Sequence, residues 1–158
     1  MRSLIAVALV LITACSPSPP PDSDIIAYFT DSKQLILELA QLGVTHPTLR
    51  RVEPSLKKYA SYYGHPTVED LAAEQRAYII LAALKADYVS YWRNGALTGN
   101  PLVYVEVPFY RWGLSLGGYG KSLRFFPACT KDPPQSDREF KYKPLNEQCW
   151  YIFESDTR

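Results

Sequence analysis

The residues that could perform chemistry in this 158-residue chain are few, and their spacing does not fit the motifs they suggest. Residues 116–122 read LGGYGKS, which has the composition of a phosphate-binding loop. Such a loop needs a glycine five residues before Gly120, where this chain has Ser115. It also leads into a helix N-terminus, whereas the residues after Ser122 favour a strand. We therefore interpret the stretch as a glycine-rich hairpin turn that binds no nucleotide.

Two histidines and the acidic residues supply the remaining catalytic groups. His46 and His65 each precede a proline, and we expect structural or capping roles for both of them. Two carboxyl groups about 5 to 10 Å apart suffice to hydrolyse a glycoside. However, the acids within residues 69–74 fit a solvated helix face, and Glu53 and Glu106 stand alone. The sequence predicts a non-catalytic protein without a cofactor or metal, and a two-acid enzyme remains an alternative.

The first fifteen residues, MRSLIAVALVLITAC, indicate where the protein is located. Arg2, nine apolar residues at 4–12 and a small-residue ending are typical of a secretory signal peptide. The apolar run is shorter than the roughly 20 residues of a membrane-spanning helix. The ending ITAC resembles the lipobox of bacterial lipoproteins, which implies removal of residues 1–14 and acylation of Cys15. Ser16 stands where an inner-membrane retention signal would be Asp, so the resemblance implies the outer membrane, facing the periplasm.

Composition limits the binding partners of the exported chain. Loss of residues 1–14 removes Arg2 from the 17 basic residues, leaving 16 basic and 16 acidic residues and no net charge. Nucleic-acid binding depends on basic residues that neutralise phosphates, so a neutral chain gives no reason to expect it. The sequence predicts a lipidated Cys15 with a Pro/Ser tether over residues 15–24, followed by one globular domain over residues 25–158.

Two cysteines, Cys129 and Cys149, remain after Cys15 is acylated. An even pair in an oxidising compartment predicts a disulfide, which would close a loop of about 20 residues. A zinc site is the alternative, but both histidines lie far upstream without the spacing of zinc ligands.

Aromatic content is the strongest remaining signal, with 12 Tyr, 6 Phe and 3 Trp. Tyrosine and tryptophan are enriched in protein interfaces because they bury a large area and keep a polar tip. The alternative is that they fill the core of a small domain. We expect the interface in the C-terminal part of the chain. The residues predicted to bind a partner are Arg111, Trp112, Tyr119, Lys121, Lys131, Arg138, Lys141 and Tyr142.

The order of predicted elements favours an α+β fold. A helix starts at Asp31–Ser32 and closes at Gly43, further helical patterns follow Pro47, and the longest helix covers about 67–93. An apolar stripe is expected to bury this helix; its members are Val68, Leu71, Ala72, Ile79, Ala82, Ala86 and Val89. Strands are predicted at 102–107, where Pro108 ends the pattern, at 109–116, at 122–126 and at 149–153, and residues 130–148 are predicted to form an exposed loop. Helices followed by strands predict a small antiparallel sheet with one disulfide.

These observations predict an outer-membrane-anchored periplasmic lipoprotein that binds and neutralises another protein, of the immunity or inhibitor type. Such a protein needs a tether, a rigid domain and an interface, and no active site. Two alternatives remain open: an accessory subunit of an envelope or secretion complex, and a lipoprotein that binds peptidoglycan or another glycan through exposed aromatic residues.

Overall fold

A computed structural model of the protein describes residues 18–54, 59–95, 100–114, 117–129, 136–145, 147 and 149–157, with the side chains of residues 59, 112–114 and 117 outside the description. In this part of the chain the helices are α1 (Asp22–Asp31), α2 (Lys33–Thr45) and α3 (Val68–Leu84). The strands are β1 (Leu49–Glu53), β2 (Tyr59–Tyr62), β3 (Val89–Arg93), β4 (Leu102–Leu114), β5 (Gly117–Phe125), β6 (Phe140–Pro144) and β7 (Trp150–Asp156).

All seven strands form one antiparallel sheet in the order β2-β1-β3-β4-β5-β7-β6. The predicted α+β class, the antiparallel sheet and the Cys129–Cys149 disulfide are confirmed. The prediction of a small sheet after the helices is wrong, because β1 and β2 precede α3 and the sheet is the largest element of the fold.

The three helices pack on one face of the sheet and bury a single apolar core. The largest fully buried side chains in that core are Ile25, Ile36, Leu39, Leu49, Ile80, Leu81, Tyr91, Leu123 and Trp150. Burial of this apolar surface is the main term that stabilises the fold.

The helical pattern predicted after Pro47 is wrong, since β1 and β2 form there. Leu49 and Val52 are both buried, which at a spacing of three suggests a helix. In the structure β1 has one extra residue, between Leu49 and Arg51, relative to its partner strand β2. The buried side chains of β1 are therefore three residues apart instead of the usual two. A bulge therefore imitates one turn of helix in the sequence.

The longest helix ends at Leu84 instead of residue 93. Lys85 adopts a left-handed conformation with φ of 54°, and the chain then turns into β3. The predicted stripe is also wrong, because Ile79 is 61% exposed whereas Ala73 and Ala77 on the opposite side are buried. The buried face of α3 combines these two alanines with the larger Ile80, Leu81 and Leu84.

The C-terminal strands also depart from prediction in detail. Pro108 does not end β4, which continues to Leu114 past an irregular register between Pro108 and Tyr110. The predicted turn at 117–120 lies within β5, and part of the predicted exposed loop forms the edge strand β6. At the other end of the domain, residues 22–24 of the expected tether form the first turn of α1.

Candidate functional site

The face of the sheet opposite the helices, here called the open face, is the candidate functional site. Side chains alternate across a strand, so Val105 and Leu123 point into the core while Glu106, Ser122 and Arg124 point to the open face. The helices do not cover this second face, and its side chains are polar or aromatic.

An aromatic ladder crosses the open face from β3 to β6. Its members are Trp92, Tyr104, Phe126, Tyr142, Tyr151, Phe153 and Phe140. Neighbouring rings lie 5.0 to 6.4 Å apart between centroids, within the range of favourable aromatic pairs. The two ends are the most accessible, with Trp92 at 49% exposure and Phe140 at 37%. The ladder thus presents a rigid apolar surface that ends in two exposed rings.

A buried ion pair lies in the middle of the ladder. The Arg124 guanidinium donates through Nη2 to Glu106 Oε2 at 2.9 Å and through Nη1 to the Tyr142 hydroxyl at 3.0 Å. The guanidinium carbon also lies 3.3 Å from the ring centroid of Phe153 and 4.4 Å from that of Tyr104. A planar guanidinium suits this combination of hydrogen bonding and ring contact. Arg124 therefore fixes the positions of the rings around it.

A second arginine contact lies next to this pair. The guanidinium carbon of Arg51 lies 3.8 Å from the ring centroid of buried Tyr88, and that of Arg111 lies 5.2 Å from it. Burial raises the pKa of the Tyr88 hydroxyl, so this group is neutral at physiological pH. Arg51 is paired with Glu53, with its Nε donating to Oε2 at 2.9 Å. Arg111 is much freer: its side chain is 65% exposed, and its nearest acidic atom is Glu106 Oε1 at 3.9 Å.

A groove of about 240 Å³ lies on the open face where these two features meet. Trp92 and Tyr104 line it on one side and Phe140 and Phe153 on the other, and Arg111, Ser122 and Arg124 contribute polar groups. Ser122 is buried, and its hydroxyl has no hydrogen-bond partner among the described residues. Buried polar groups in native proteins are normally satisfied, so the Ser122 hydroxyl in the groove is a position where a bound group or a water can form a hydrogen bond.

Two of the groups considered for catalysis, Glu106 and His46, form contacts with other side chains. Glu106 is paired with Arg124, and the His46 ring lies 3.4 Å from Asp70, which caps α3 together with Thr67. Within the described residues, no three His, Cys, Asp or Glu side chains gather as metal ligands would. The arrangement can stack on apolar groups, form hydrogen bonds and pair with charges, which is the chemistry of binding.

The residues that the sequence predicted for partner binding fall on different parts of the molecule. Arg111 and Tyr142 lie on the open face. Lys121 is buried on the helix side, where its Nζ donates to Asp22 Oδ1 at 2.8 Å and to the Pro20 carbonyl at 3.0 Å. Tyr119 and Lys141 are on that same side, near Glu154.

The rest of the predicted set is only partly described. Arg138 is exposed beyond the β6 edge, whereas Lys131 and the side chain of Trp112 lie outside the described residues, as does Cys15. Trp92 was missed because the sequence placed it in a helix. The alternation of Tyr88, Ser90 and Trp92 along β3 is the signal that identifies it.

Comparison with known proteins adds no relatives to these observations. Within the described residues no helix is long and apolar enough to cross a membrane. Neither a protein family, nor a curated protein, nor a solved structure matches this chain.

Proposed function

We propose that the protein is an outer-membrane-anchored periplasmic lipoprotein that binds and neutralises another protein through the open face of its sheet. The observation that carries the proposal is the aromatic ladder, a continuous set of seven rings that ends in two exposed ones, Trp92 and Phe140. Its role requires no catalytic group.

The composition of the open face favours a protein as the ligand. Tyrosine, tryptophan and arginine dominate the energetic centres of protein interfaces. Here these residues are already held in place, because Arg124 bonds to Tyr142 and Glu106 and contacts the ring of Phe153. Side chains that are ordered before binding lose less conformational entropy when a partner docks.

The position of the N-terminal tether is compatible with this role. Pro20 and Asp22 are bound by Lys121, which points to the helix side of the sheet. The chain therefore reaches the domain on the side away from the ladder, and a tether arriving there leaves the open face accessible to a partner.

The experiment is affinity capture with the full-length protein in detergent, using envelope and secreted fractions of the source cells as prey. Trp92→Ala and Phe140→Ala should each weaken capture of the specific partner by about tenfold or more, the effect of losing an interface anchor. The matched control is Val103→Ala, which truncates an apolar side chain of 41% exposure that points to the helix side of β4. The captured partner should lose its activity when the wild-type protein is added and keep it with Trp92→Ala.

Other results would change the proposal in defined ways. Recovery of membrane-complex subunits, again dependent on Trp92, would favour the accessory-subunit alternative. Sedimentation with insoluble cell wall that Trp92→Ala abolishes would favour glycan binding, because flat aromatic rings also stack on sugars. Capture that is insensitive to both Trp92→Ala and Phe140→Ala would show that the open face is not the binding surface.

A further inference from the structure

We infer that Arg111 is the docking point for a carboxylate of the bound partner, at the rim of the groove on the open face. This inference rests on the proposed function, because it identifies the chemistry that the same face recognises. It concerns one side chain, and it makes a prediction about ligand charge that the proposed function alone does not make.

The balance of charge in the groove is the first argument. Glu106 is the acidic residue that lines it, and its Oε2 is bound by Arg124 at 2.9 Å. Lys121, which also lines the groove, is paired on the helix side with Asp22 at 2.8 Å and Glu154 at 4.0 Å. Arg111 lies 3.9 Å from the same Glu106 carboxylate, so two arginines share one acidic group and the groove has one positive charge in excess. A ligand with a negative charge complements this site.

The orientation of Arg111 is the second argument. Its guanidinium carbon lies 5.2 Å from the ring centroid of Tyr88, so the ring restricts the long side chain in spite of its 65% exposure. Among the described residues it makes no hydrogen bond, and its N–H donors are free for a ligand. A planar guanidinium with free donors binds a carboxylate in a bidentate manner.

The Ser122 side chain provides independent support for a ligand group in the groove. Its side chain is buried and its hydroxyl has no described partner, although it lines the same groove as Arg111. A hydroxyl can donate to a carboxylate or to a peptide carbonyl. The site therefore has a charged group at its rim and a hydroxyl at its base, between aromatic side chains. The carboxylate that it binds belongs either to an Asp or Glu side chain of the partner or to the C-terminus of its chain.

The test uses three pentapeptides with the full-length protein labelled with ¹⁵N in detergent micelles. The first, acetyl-AYEYA-amide, has only a side-chain carboxylate. The second, acetyl-AYQYA-amide, has none, and the third, acetyl-AYQYA with a free C-terminus, has only the terminal carboxylate. The Arg111 Nε–H signal should shift with the first or the third peptide at up to about 10 mM and not with the second, and the peptide that responds identifies the source of the carboxylate.

Variants connect this response to Arg111 and the partner. Arg111→Gln should remove the preference for the carboxylate peptides and weaken capture of the partner by about tenfold, and Arg111→Lys should recover part of both because it keeps the charge without the planar fork. Arg50→Gln is the control and should change neither, because Arg50 is also exposed and lies over a tyrosine ring, 5.6 Å from the centroid of Tyr63, but does not line the groove. Thermal unfolding of each variant shows that the fold is intact.

The outcomes separate this inference from the proposed function. Equal responses to the acidic and neutral peptides, the absence of any Arg111 shift, or an unchanged preference in Arg111→Gln would each overturn the carboxylate site. Loss of partner capture in Trp92→Ala together with unchanged capture in Arg111→Gln would also overturn it and leave the proposed function standing. Capture that does not depend on Trp92 or Phe140 would instead remove the proposed function.

Discussion

The Glu106–Arg124 pair shows how one interaction can organise a surface without adding much stability. Removing two charges from water costs several kcal/mol, and their attraction only offsets that cost when the geometry is good and the remaining donors are satisfied. Arg124 bonds to Glu106 and Tyr142, and its plane lies near the rings of Phe153 and Tyr104. We therefore infer that the pair contributes more to fixing the positions of the ladder rings than to the free energy of unfolding.

Breaking the pair from one side tests this assignment. Glu106→Gln should lower the free energy of unfolding by about 3 kcal/mol, because it leaves the buried guanidinium of Arg124 without its counter-charge. The double variant Glu106→Leu/Arg124→Met should recover most of the loss in urea unfolding and still bind the partner poorly. Glu38→Gln, which breaks the exposed pair with Arg76, is the control and should have a much smaller effect. A double variant with normal partner binding would contradict the role given to the pair.

A second polar cluster, around Asp22, predicts a pH dependence of stability. Hydrogen bonds from Lys121 and then Lys143, at 2.8 and 2.6 Å, hold the pKa of the Asp22 carboxyl below its ordinary value of 3.8. The folded state therefore binds fewer protons at this site than the unfolded state. The stabilisation is fully present above about pH 4 and is lost as the pH falls through the folded pKa.

Asp22→Asn should accordingly reduce the free energy of unfolding by about 1 kcal/mol at pH 7, and the difference from wild type should shrink towards pH 2. Asp24→Asn is a matched control, since Asp24 also lies in the first turn of α1 but is not bonded to either lysine. Urea unfolding over this pH range measures both. If the stability lost in Asp22→Asn were independent of pH, or equal to the stability lost in Asp24→Asn, only the interaction with the helix dipole would be involved.

At the scale of elements, one glycine sets the distance between α2 and the sheet. A Cβ atom added to Gly43 would lie within 2.7 Å of Tyr91 Cε1, and Tyr91 is fully buried in β3. Arg93 Nη2 donates to the Gly43 carbonyl at 2.6 Å and further fixes this approach. The sequence predicted Gly43 as the end of the helix, whereas it lies inside α2 and serves close packing.

Gly43→Ala should therefore destabilise the protein by about 2 kcal/mol, against the roughly 1 kcal/mol gain that alanine normally brings inside a helix. The test is whether Gly43→Ala lowers or raises the free energy of unfolding, which thermal or urea unfolding measures. In the background of Tyr91→Leu, which removes the ring that alanine would meet, the cost of Gly43→Ala should fall by more than half. A stabilising Gly43→Ala in the wild-type protein would mean that α2 is free to move away from β3.

The hydrophobic pattern was sufficient to predict the α+β class, most of α2 and much of β4, β5 and β7, and the even pair of cysteines predicted the disulfide. It failed where local irregularity changes the period, as at the bulge in β1 and at the left-handed Lys85 that separates α3 from β3. It also failed for β6, because Phe140 and Tyr142 alternate with lysines that face acidic partners, and no apolar run marks the strand. Trp92 was missed with β3, so the open face as a whole was not foreseen.

The edge strand β6 favours binding by a face instead of by added strands. The Tyr142 N–H donates to Ser136 Oγ at 3.0 Å, and the Asp137 N–H donates to the Phe140 carbonyl at 2.8 Å. Outward backbone groups at a sheet edge are the usual template for pairing with another chain. Here the preceding segment already occupies part of them, so a partner finds the ladder more accessible than the edge.

For the whole molecule, the position of the tether sets how the proposed anchor presents the domain. Lys121 holds Pro20, so only four residues separate that point from Cys15. Covalent geometry limits the five steps from Cα to Cα to about 18 Å, which is shorter than the roughly 25 Å of an extended tether up to residue 24. Acylation of Cys15 would therefore keep the helix side near the bilayer and direct the open face towards the periplasm.

The anchor itself yields the last prediction. Cys15→Ser should move the protein from the membrane fraction to the soluble fraction, because stable anchoring needs the acyl chains and the rest of the sequence offers no basic helix for lipid. Mass spectrometry of the wild-type N-terminal peptide should find it starting at Cys15 with acyl groups attached. Cys129→Ser/Cys149→Ser, which also removes cysteines, should remain in the membrane fraction even though it loses about 3 kcal/mol with the disulfide. Retention of Cys15→Ser in membranes, or a mature chain that begins at another residue, would contradict the lipid anchor and with it the orientation of the open face.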